Sequence, residues 1–318
     1  MQETQGKAGN GKKPFIPQEF TDKYTQILGQ EAGAFFECCN RKIPKSIWVN
    51  SLKIRPQLLA KDLGKKGWNL VQLPFHENAF ALEGVERPGG SDEFNAGLFN
   101  LQEKASMIPA LALDLHKGDV ALDACAAPGN KTLQVACLLN GAGKVVAADK
   151  NVERFRSLRF NIRKFGMGAI AKRMDILDAK RKGVVDRILL DAPCSSEGLV
   201  RKDPDALRNW SMELVQKKAS LQKKLADKCL ELLKPDGVMV YSTCSFAPEE
   251  DEEVVQHLLD GAKARIEAIK IKGFKMRGGM REYNGARYDA SLAKTARIYP
   301  QDNDTQQFFV AKIRKIST

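Results

Sequence analysis

The chain's 318 residues, 43% of them hydrophobic, are enough to bury one large core or two smaller ones. No apolar run approaches the ~20 residues that span a bilayer, and Met1 to Lys13 is polar and Gly/Lys-rich, so a cytoplasmic protein with a disordered tail over residues 1–13 is expected. The net charge of +12 is uneven: residues 1–90 carry 13 basic against 9 acidic side chains, residues 91–260 carry 25 of each, and residues 261–318 carry 13 against 5.

Residues 14–90 read as a small α+β unit. Phe20 to Leu28 and Ala32 to Cys39 have helical spacing, Ser46 to Leu52 reads as a strand, and Pro56 to Leu63 as a helix opened by proline. Trp68 to Leu73 and Ala79 to Leu82 follow as strands, and Pro88-Gly89-Gly90-Ser91 is the expected linker. From there to residue 318, strand and helix alternate, which predicts a mostly parallel, doubly wound sheet covered on both faces. Its expected strands are Val120 to Cys125, Lys144 to Ala148, Ala169 to Met174, Arg187 to Leu190 and Val238 to Ser242. The expected helices are Lys131 to Leu139, Val152 to Phe165, Ser211 to Leu233 and Pro248 to Leu259, the last opened by proline and acids suited to a positive helix end. Ala296 to Tyr299 and Gln307 to Ile313 read as a terminal antiparallel hairpin.

Three kinds of residue stand where chemistry is done. Asp123 to Thr132 (DACAAPGNKT) joins a strand to a helix through small residues that let a ligand approach the backbone. It matches neither a dinucleotide GxGxxG nor a phosphate loop, and alone it reads equally as a tight turn. Asp149, Asp175 and Asp191 each end a strand. Singly, such an acid is usually a helix cap or loop residue; three in succession suit a nucleoside, with Asp149 on the ribose hydroxyls and Asp175 at an adenine edge. Cys194 and Cys244 lie beyond apolar strands among small polar residues, as nucleophiles do. Cys38, Cys39, Cys137 and Cys229 read as buried hydrophobes. With no CxxC pair and three scattered histidines, reduced thiols and no metal are expected.

DACAAPGNKT, the DAPCSSEG segment from Asp191 and YSTCS from Tyr241, in that order, resemble the RsmB/NSUN family of RNA 5-methylcytosine methyltransferases. Trp48 to Lys53 resembles the family's R-x-N-T-L-K element, Gly97 to Glu103 its G-x-F-x-x-Q-[DE] element, and Asp304 to Ala311 its C-terminal strand. Trp48 and Gln307 depart from the family's Arg and Gly. The resemblance implies a Rossmann-like class I methyltransferase fold, with S-adenosylmethionine as cofactor and RNA as partner. No NusB-like or PUA-like segment is expected in the sequence, and a monomer is expected. It makes Cys244 the thiolate that attacks carbon 6 of cytosine, Cys194 the group that helps remove the carbon-5 proton, and Asp191 and Lys131 contacts to the base. Around the cofactor it sets Cys125, Ala126, Ala127, Pro128, Gly129, Asn130 and Lys131, with Asp149, Arg154, Asp175 and Asp191. The compact chain is most similar to archaeal members, which implies tRNA as substrate and ribosomal RNA second. Two readings compete: a methyltransferase acting on something other than RNA, and an RNA-binding assembly factor that has kept the fold without catalysis.

The basic flanks suit the RNA reading. Lys270, Lys272, Lys275, Arg277 and Arg281 alternate with Phe274 and Tyr283 in a Gly-rich stretch, as if to hold phosphates and unpaired bases. The plainer alternative is a solvated surface.

Overall fold

The structure is a computed structural model that describes residues 14–316; the expected tail over residues 1–13 lies outside them. Helices α1 (Gln18–Leu28) and α2 (Ala32–Cys39) come first. Their apolar residues Phe20, Tyr24 and Phe35 pack against Leu207, Trp210 and Phe246, far along the chain. Strand β1 (Lys45–Val49), helix α3 (Pro56–Lys65) and strands β2 (Asn69–Gln72) and β3 (Ala79–Glu83) form a separate layer. Helix α4 (Asp92–Asn95) leads into β4 (Phe99–Leu101), which pairs antiparallel with β1 to complete a sheet of order β2-β3-β1-β4. The N-terminal sheet thus takes a strand from beyond the linker expected at Pro88 to Ser91. Pro88–Gly90 is a single 3-10 turn within the path of that unit, and Pro88 is buried.

Helix α5 (Lys104–Ala112) follows, unforeseen because Pro109 interrupts an evenly apolar run. The larger sheet is then built from β5 (Val120–Asp123), α6 (Asn130–Leu139), β6 (Lys144–Asp149), α7 (Val152–Phe165), β7 (Ile170–Arg173), β8 (Val185–Asp191), α8 (Met212–Leu232) and β9 (Leu233–Thr243). Helix α9 (Glu252–Asp260) and strand β10 (Ala264–Glu267) come next, then the small hairpin β11 (Glu282–Tyr283) and β12 (Ala286–Arg287). The chain closes with β13 (Ala296–Ile298), α10 (Pro300–Asn303) and β14 (Phe308–Lys315). Strand order is β10-β14-β9-β8-β5-β6-β7, with β13 also on β14. β5 through β9 are parallel, and β14 runs antiparallel to β9 and β10. The expected terminal hairpin exists, but β14 is inserted between β9 and β10 and so belongs to the main sheet.

Side-chain alternation sorts β8 onto two cores. Ile188 and Leu190 meet Leu225, Cys229 and Val254 of α8 and α9, while Leu189 meets Ile108 and Leu133 of α5 and α6. Such a strand is covered on both faces and reads as a continuous apolar run. The order reverses at β5, whose neighbours β6 and β8 lead away in opposite directions. Ligands of open parallel sheets bind at that reversal, outside the carboxyl ends of the strands.

Candidate active site

Two cavities open at this edge. The first, about 450 Å³, is bordered by Cys125, Asp149, Arg154, Asp175 and Asp191, with Met174, Ile176, Leu221 and Leu225 as an apolar wall. Ligand pockets run from about 300 to 1,000 Å³. Strand-end carboxylates beside an apolar wall fit a nucleoside: acceptors for ribose hydroxyls and a dry face for a purine. Asp149 accepts from the backbone N–H of Asn151 (2.9 Å) and of Ala127 (3.2 Å), which ties it to the small-residue loop. Arg154 braces the same loop, donating to the Ala127 carbonyl at 2.7 Å with its guanidinium 3.6 Å from Asp149. Asp175 caps a short turn through Leu177 N–H and pairs with Lys150 at 3.0 Å.

The second cavity, about 290 Å³, is bordered by Ala126, Ala127, Pro128, Asn130 and Lys131, and on its far side by Glu103 and Phe308. The residues expected around one cofactor are thus divided between two spaces, with Cys125, Asp191 and Cys244 on the border of both. Gly129 borders neither. It holds φ at 108°, a conformation open to glycine, and a Cβ there would sit 3.1 Å from Leu158 of α7.

Asp191 stands at the junction. One carboxylate oxygen accepts from Lys131 Nζ at 2.7 Å, the other from Ser242 Oγ at 2.8 Å. β8 and β9 are adjacent and parallel, so the loops that leave them run side by side and bring Cys194 Sγ to 3.1 Å from Cys244 Sγ. Cys244 is partly exposed, whereas Cys194, expected in an exposed polar place, is buried. Its hydrogen bond with Cys244, together with burial, holds the Cys194 thiol well above the usual range. Cys38, Cys39, Cys137 and Cys229 are buried as expected.

Sequence reasoning missed what lies behind the thiols. Of the acids after Cys244, Glu252 and Glu253 do open the helix, which begins at Glu252 and not at Pro248, while Glu250, Asp251 and Glu252 are all interior. Arg297 pairs with Glu252 and lies 3.8 Å from Asp251. Glu197 is also buried and accepts from Tyr24 Oη (2.5 Å), Trp210 Nε1 (2.6 Å), Phe246 N–H (2.9 Å) and Ser245 Oγ (3.0 Å). Glu250 accepts from Ser195 N–H and Gln222 Nε2 and is hydrogen-bonded to Ser245 Oγ. The one sequence signal was an unbroken run of five acids, Glu249 to Glu253, too dense for one helix end.

Trp48 is a core residue, fully buried and stacked on His76 with ring centroids 4.7 Å apart, so its departure from the family's Arg is absorbed by packing. Asn50 and Lys53 of the same element clasp the N-terminal sheet to the end of α7, donating to the Phe165 carbonyl at 2.7 Å and the Lys164 carbonyl at 2.6 Å. Gln307 is buried against Gly198. Among the described residues no group of three or more His, Cys, Asp or Glu could hold a metal ion, and no helix is long and apolar enough to cross a membrane.

A doubly wound sheet with an antiparallel strand inserted near one edge, and a nucleoside-shaped cavity at its strand reversal, defines a Rossmann-like S-adenosylmethionine-dependent methyltransferase fold. The chain belongs to the RsmB/F family: the model described as 16S rRNA methyltransferase RsmB/F matches residues 110–314, and that of the N-terminal domain of 16S rRNA methyltransferase RsmF matches residues 16–104. S-adenosylmethionine is the cofactor of this family. Ribosomal RNA small subunit methyltransferase F of Vibrio vulnificus (strain YJ016) is 36% identical over 96% of this chain, which spans 65% of that relative's length. The protein of the same name from Aeromonas hydrophila is 36% identical over 95% of the chain and 64% of its own. The chain also resembles a solved methyltransferase homolog from Pyrococcus horikoshii, with TM-score 0.83 and 33% identity over 95% of this chain and 96% of that one. The structure of NSun6 from Pyrococcus horikoshii with SFG shares the fold, with TM-score 0.82 and 23% identity over 95% and 99% of the two chains.

Proposed function

We propose that this chain methylates carbon 5 of a cytosine in RNA, with Cys244 as the attacking thiolate. The observation that carries the proposal is the thiol pair, 3.1 Å apart, beside the Lys131–Asp191 ion pair where the two cavities meet. Carbon 5 of cytosine is a weak nucleophile. Addition of a thiolate to carbon 6 makes an enamine, which divides a hard substitution into easier steps. The thiolate form attacks. Cys194 is buried and held up, so it keeps its proton in the free protein and leaves Cys244, the more exposed of the two, to attack. Asp191, braced by Lys131 and Ser242, is placed to accept from the amino edge of a base in the second cavity. Bound S-adenosylmethionine supplies the methyl group, and the two-carboxylate cavity suits its nucleoside. Once Cys194 has given up its own proton to solvent, it takes the proton from carbon 5; that bonding pair restores the carbon 5–carbon 6 double bond, and Cys244 leaves carbon 6 as a thiolate. A base must quit its stack to enter, at a cost of a few kcal/mol that favours unpaired sites.

The sequence alone favoured tRNA; relatives named for the small ribosomal subunit turn the proposal to ribosomal RNA. Labelled methyl transfer to small-subunit rRNA and tRNA transcripts, followed by bisulfite sequencing, tests the reading. Cys244→Ala should abolish transfer without trapping RNA, and Cys194→Ala should accumulate a denaturant-resistant RNA–protein adduct. An adduct with Cys244→Ala instead would reverse the two roles, and label in a base other than cytosine would end the proposal.

A further inference from the structure

The adjacent strands β8 and β9 set the two thiol loops side by side, but the ladder alone does not fix the spacing of the thiols. The β8–β9 ladder ends at the Asp191–Ser242 pair, with one more bond from Ala192 N–H to the Ser242 carbonyl at 2.8 Å. Cys194 and Cys244 lie beyond it, on loops. The residues that follow them, Ser195 and Ser245, converge on one side chain. Glu250 accepts from Ser195 N–H at 2.9 Å through one oxygen, and its other oxygen lies within hydrogen-bond distance of Ser245 Oγ, at 2.9 Å. A third element holds this carboxyl in place: Gln222 of α8 donates to Glu250 at 2.7 Å and to the Pro193 carbonyl at 3.1 Å. We propose that Glu250 is a positioning residue that fastens the Cys194 loop to the Cys244 loop and so sets the spacing of the two thiols; this rests on the reading that both thiols serve one base.

Hydrogen counting supports a clasp over a chance contact. Ser245 has one hydroxyl hydrogen, yet Glu250 and Glu197 lie 2.9 and 3.0 Å from its oxygen. A protonated Glu250 resolves this, donating to Ser245 Oγ while the hydroxyl donates to Glu197 and the other oxygen still accepts from Ser195 and Gln222. Burial, and then the charge of Glu197, push the Glu250 carboxyl up to about 7. Cys194 and Asp251 also face this cluster, and Tyr241 donates to the Glu250 carbonyl. Glutamine can make the same bonds, with its amide donating to Ser245. Aspartate is one methylene too short to reach both loops, and alanine reaches neither.

The experiment reads spacing directly on the full chain. A diazene thiol oxidant such as diamide joins Cys194 to Cys244, and peptide mapping follows the disulfide with time, beside kcat and KM for RNA. In Glu250→Ala and Glu250→Asp, disulfide formation and kcat should each fall about tenfold or more, since an ångström of misplacement at reacting groups costs up to about a hundredfold. Glu250→Gln should keep both within about threefold of the parent, with KM for RNA unchanged in all three. If Glu250→Ala fails to fold, the aspartate variant decides. A folded aspartate or alanine variant that oxidises at the parental rate overturns the proposal, as does a glutamine variant as slow as alanine. Failure of the cytosine reading would show separately, as a parent protein that leaves cytosine unmethylated.

Discussion

Acids serve opposite ends in the two halves of the sheet's carboxyl edge. Beyond β6 and β7, Asp149 and Asp175 border an open cavity and keep acceptor capacity for a ligand. Beyond β8 and β9, Glu197 and Glu250 turn inward and are filled by the chain's own donors, from α1, α8 and both thiol loops. On the readings proposed above, the first half would hold a small molecule and the second would set the spacing of two cysteines. Both sets accept hydrogen bonds from the chain itself, so the difference lies in whether acceptor capacity still faces the open cavity.

That contrast can be broken by truncation. Glu197→Ala should produce the largest effect. It strips partners from Tyr24, Trp210 and Phe246 N–H in the interior, and each buried unsatisfied donor costs about 1–3 kcal/mol. A loss above about 3 kcal/mol in denaturant unfolding is expected; a loss within experimental error would mean that Glu197 does not tie α1 to the thiol loops. Asp149→Ala should act on affinity instead. Hydrogen bonds to a charged partner contribute about 1.5–3 kcal/mol, so cofactor affinity should fall about ten- to a hundredfold by calorimetry in a protein that stays folded. An unchanged dissociation constant would remove Asp149 from the cofactor cavity.

The same contrast explains what the sequence could reveal. Asp149, Asp175 and Asp191 were legible as strand-end acids because a strand's end fixes where the next side chain points, and strands announce themselves by apolar runs such as Ile188 to Leu190. Glu197 and Glu250 were not, because their partners are set by contacts across 173 residues in one case and 55 in the other. Cys194 and Cys244 were legible as a pair but not as buried and exposed members of it. The edge strands β4 and β10, 3 and 4 residues long, carry too little pattern to stand out. α1 and α2 were found as helices, while the surface they cover lies some 180 residues further on.

Buried acids also give the protein a pH signature. Glu103, Asp123 and Glu250 are each pushed up to about 7, chiefly by burial, from an unfolded value near 4. Each binds its proton more tightly folded than unfolded, so the stability it contributes is complete below about pH 4 and is lost as pH rises through about 7. Paired surface carboxylates work the other way. Hydrogen bonds hold Glu31 low beside Arg277 and Glu267 low beside Arg314, a contribution present above about pH 4 and lost on acidification. The thermal midpoint should therefore be higher at about pH 6 than at about pH 8, and Asp123→Asn should narrow that gap. Equal midpoints at the two values would show that these carboxyls ionise in the folded protein as they do in the unfolded chain.

The smallest effect tests whether the rule carries over to cations. Lys275 and Arg277 looked free to grip phosphate, yet both are committed within the protein: Arg277 to Asp302 at 2.6 Å and Glu31 at 2.7 Å, and Lys275 to Asp302 at 2.7 Å. Phe274 packs edge-on against Phe75, and Tyr283 reaches Glu249, so neither aromatic is a bare stacking platform. Lys270 and Lys272 are exposed and border a groove of about 600 Å³. If a charge grips RNA only when the chain leaves it unfilled, Lys270→Ala with Lys272→Ala should flatten the log-affinity against log-salt slope by about one to two units, at 0.7–0.9 per lost phosphate contact. Arg277→Ala should leave that slope nearly unchanged and lower the thermal midpoint instead, because it frees Glu31 and Asp302 from their partner. Binding isotherms over a salt series separate the two. A flatter slope with Arg277→Ala than with the lysine pair would mean that RNA competes for a charge the fold already holds, and the division between filled and unfilled groups would then fail for cations while standing for acids.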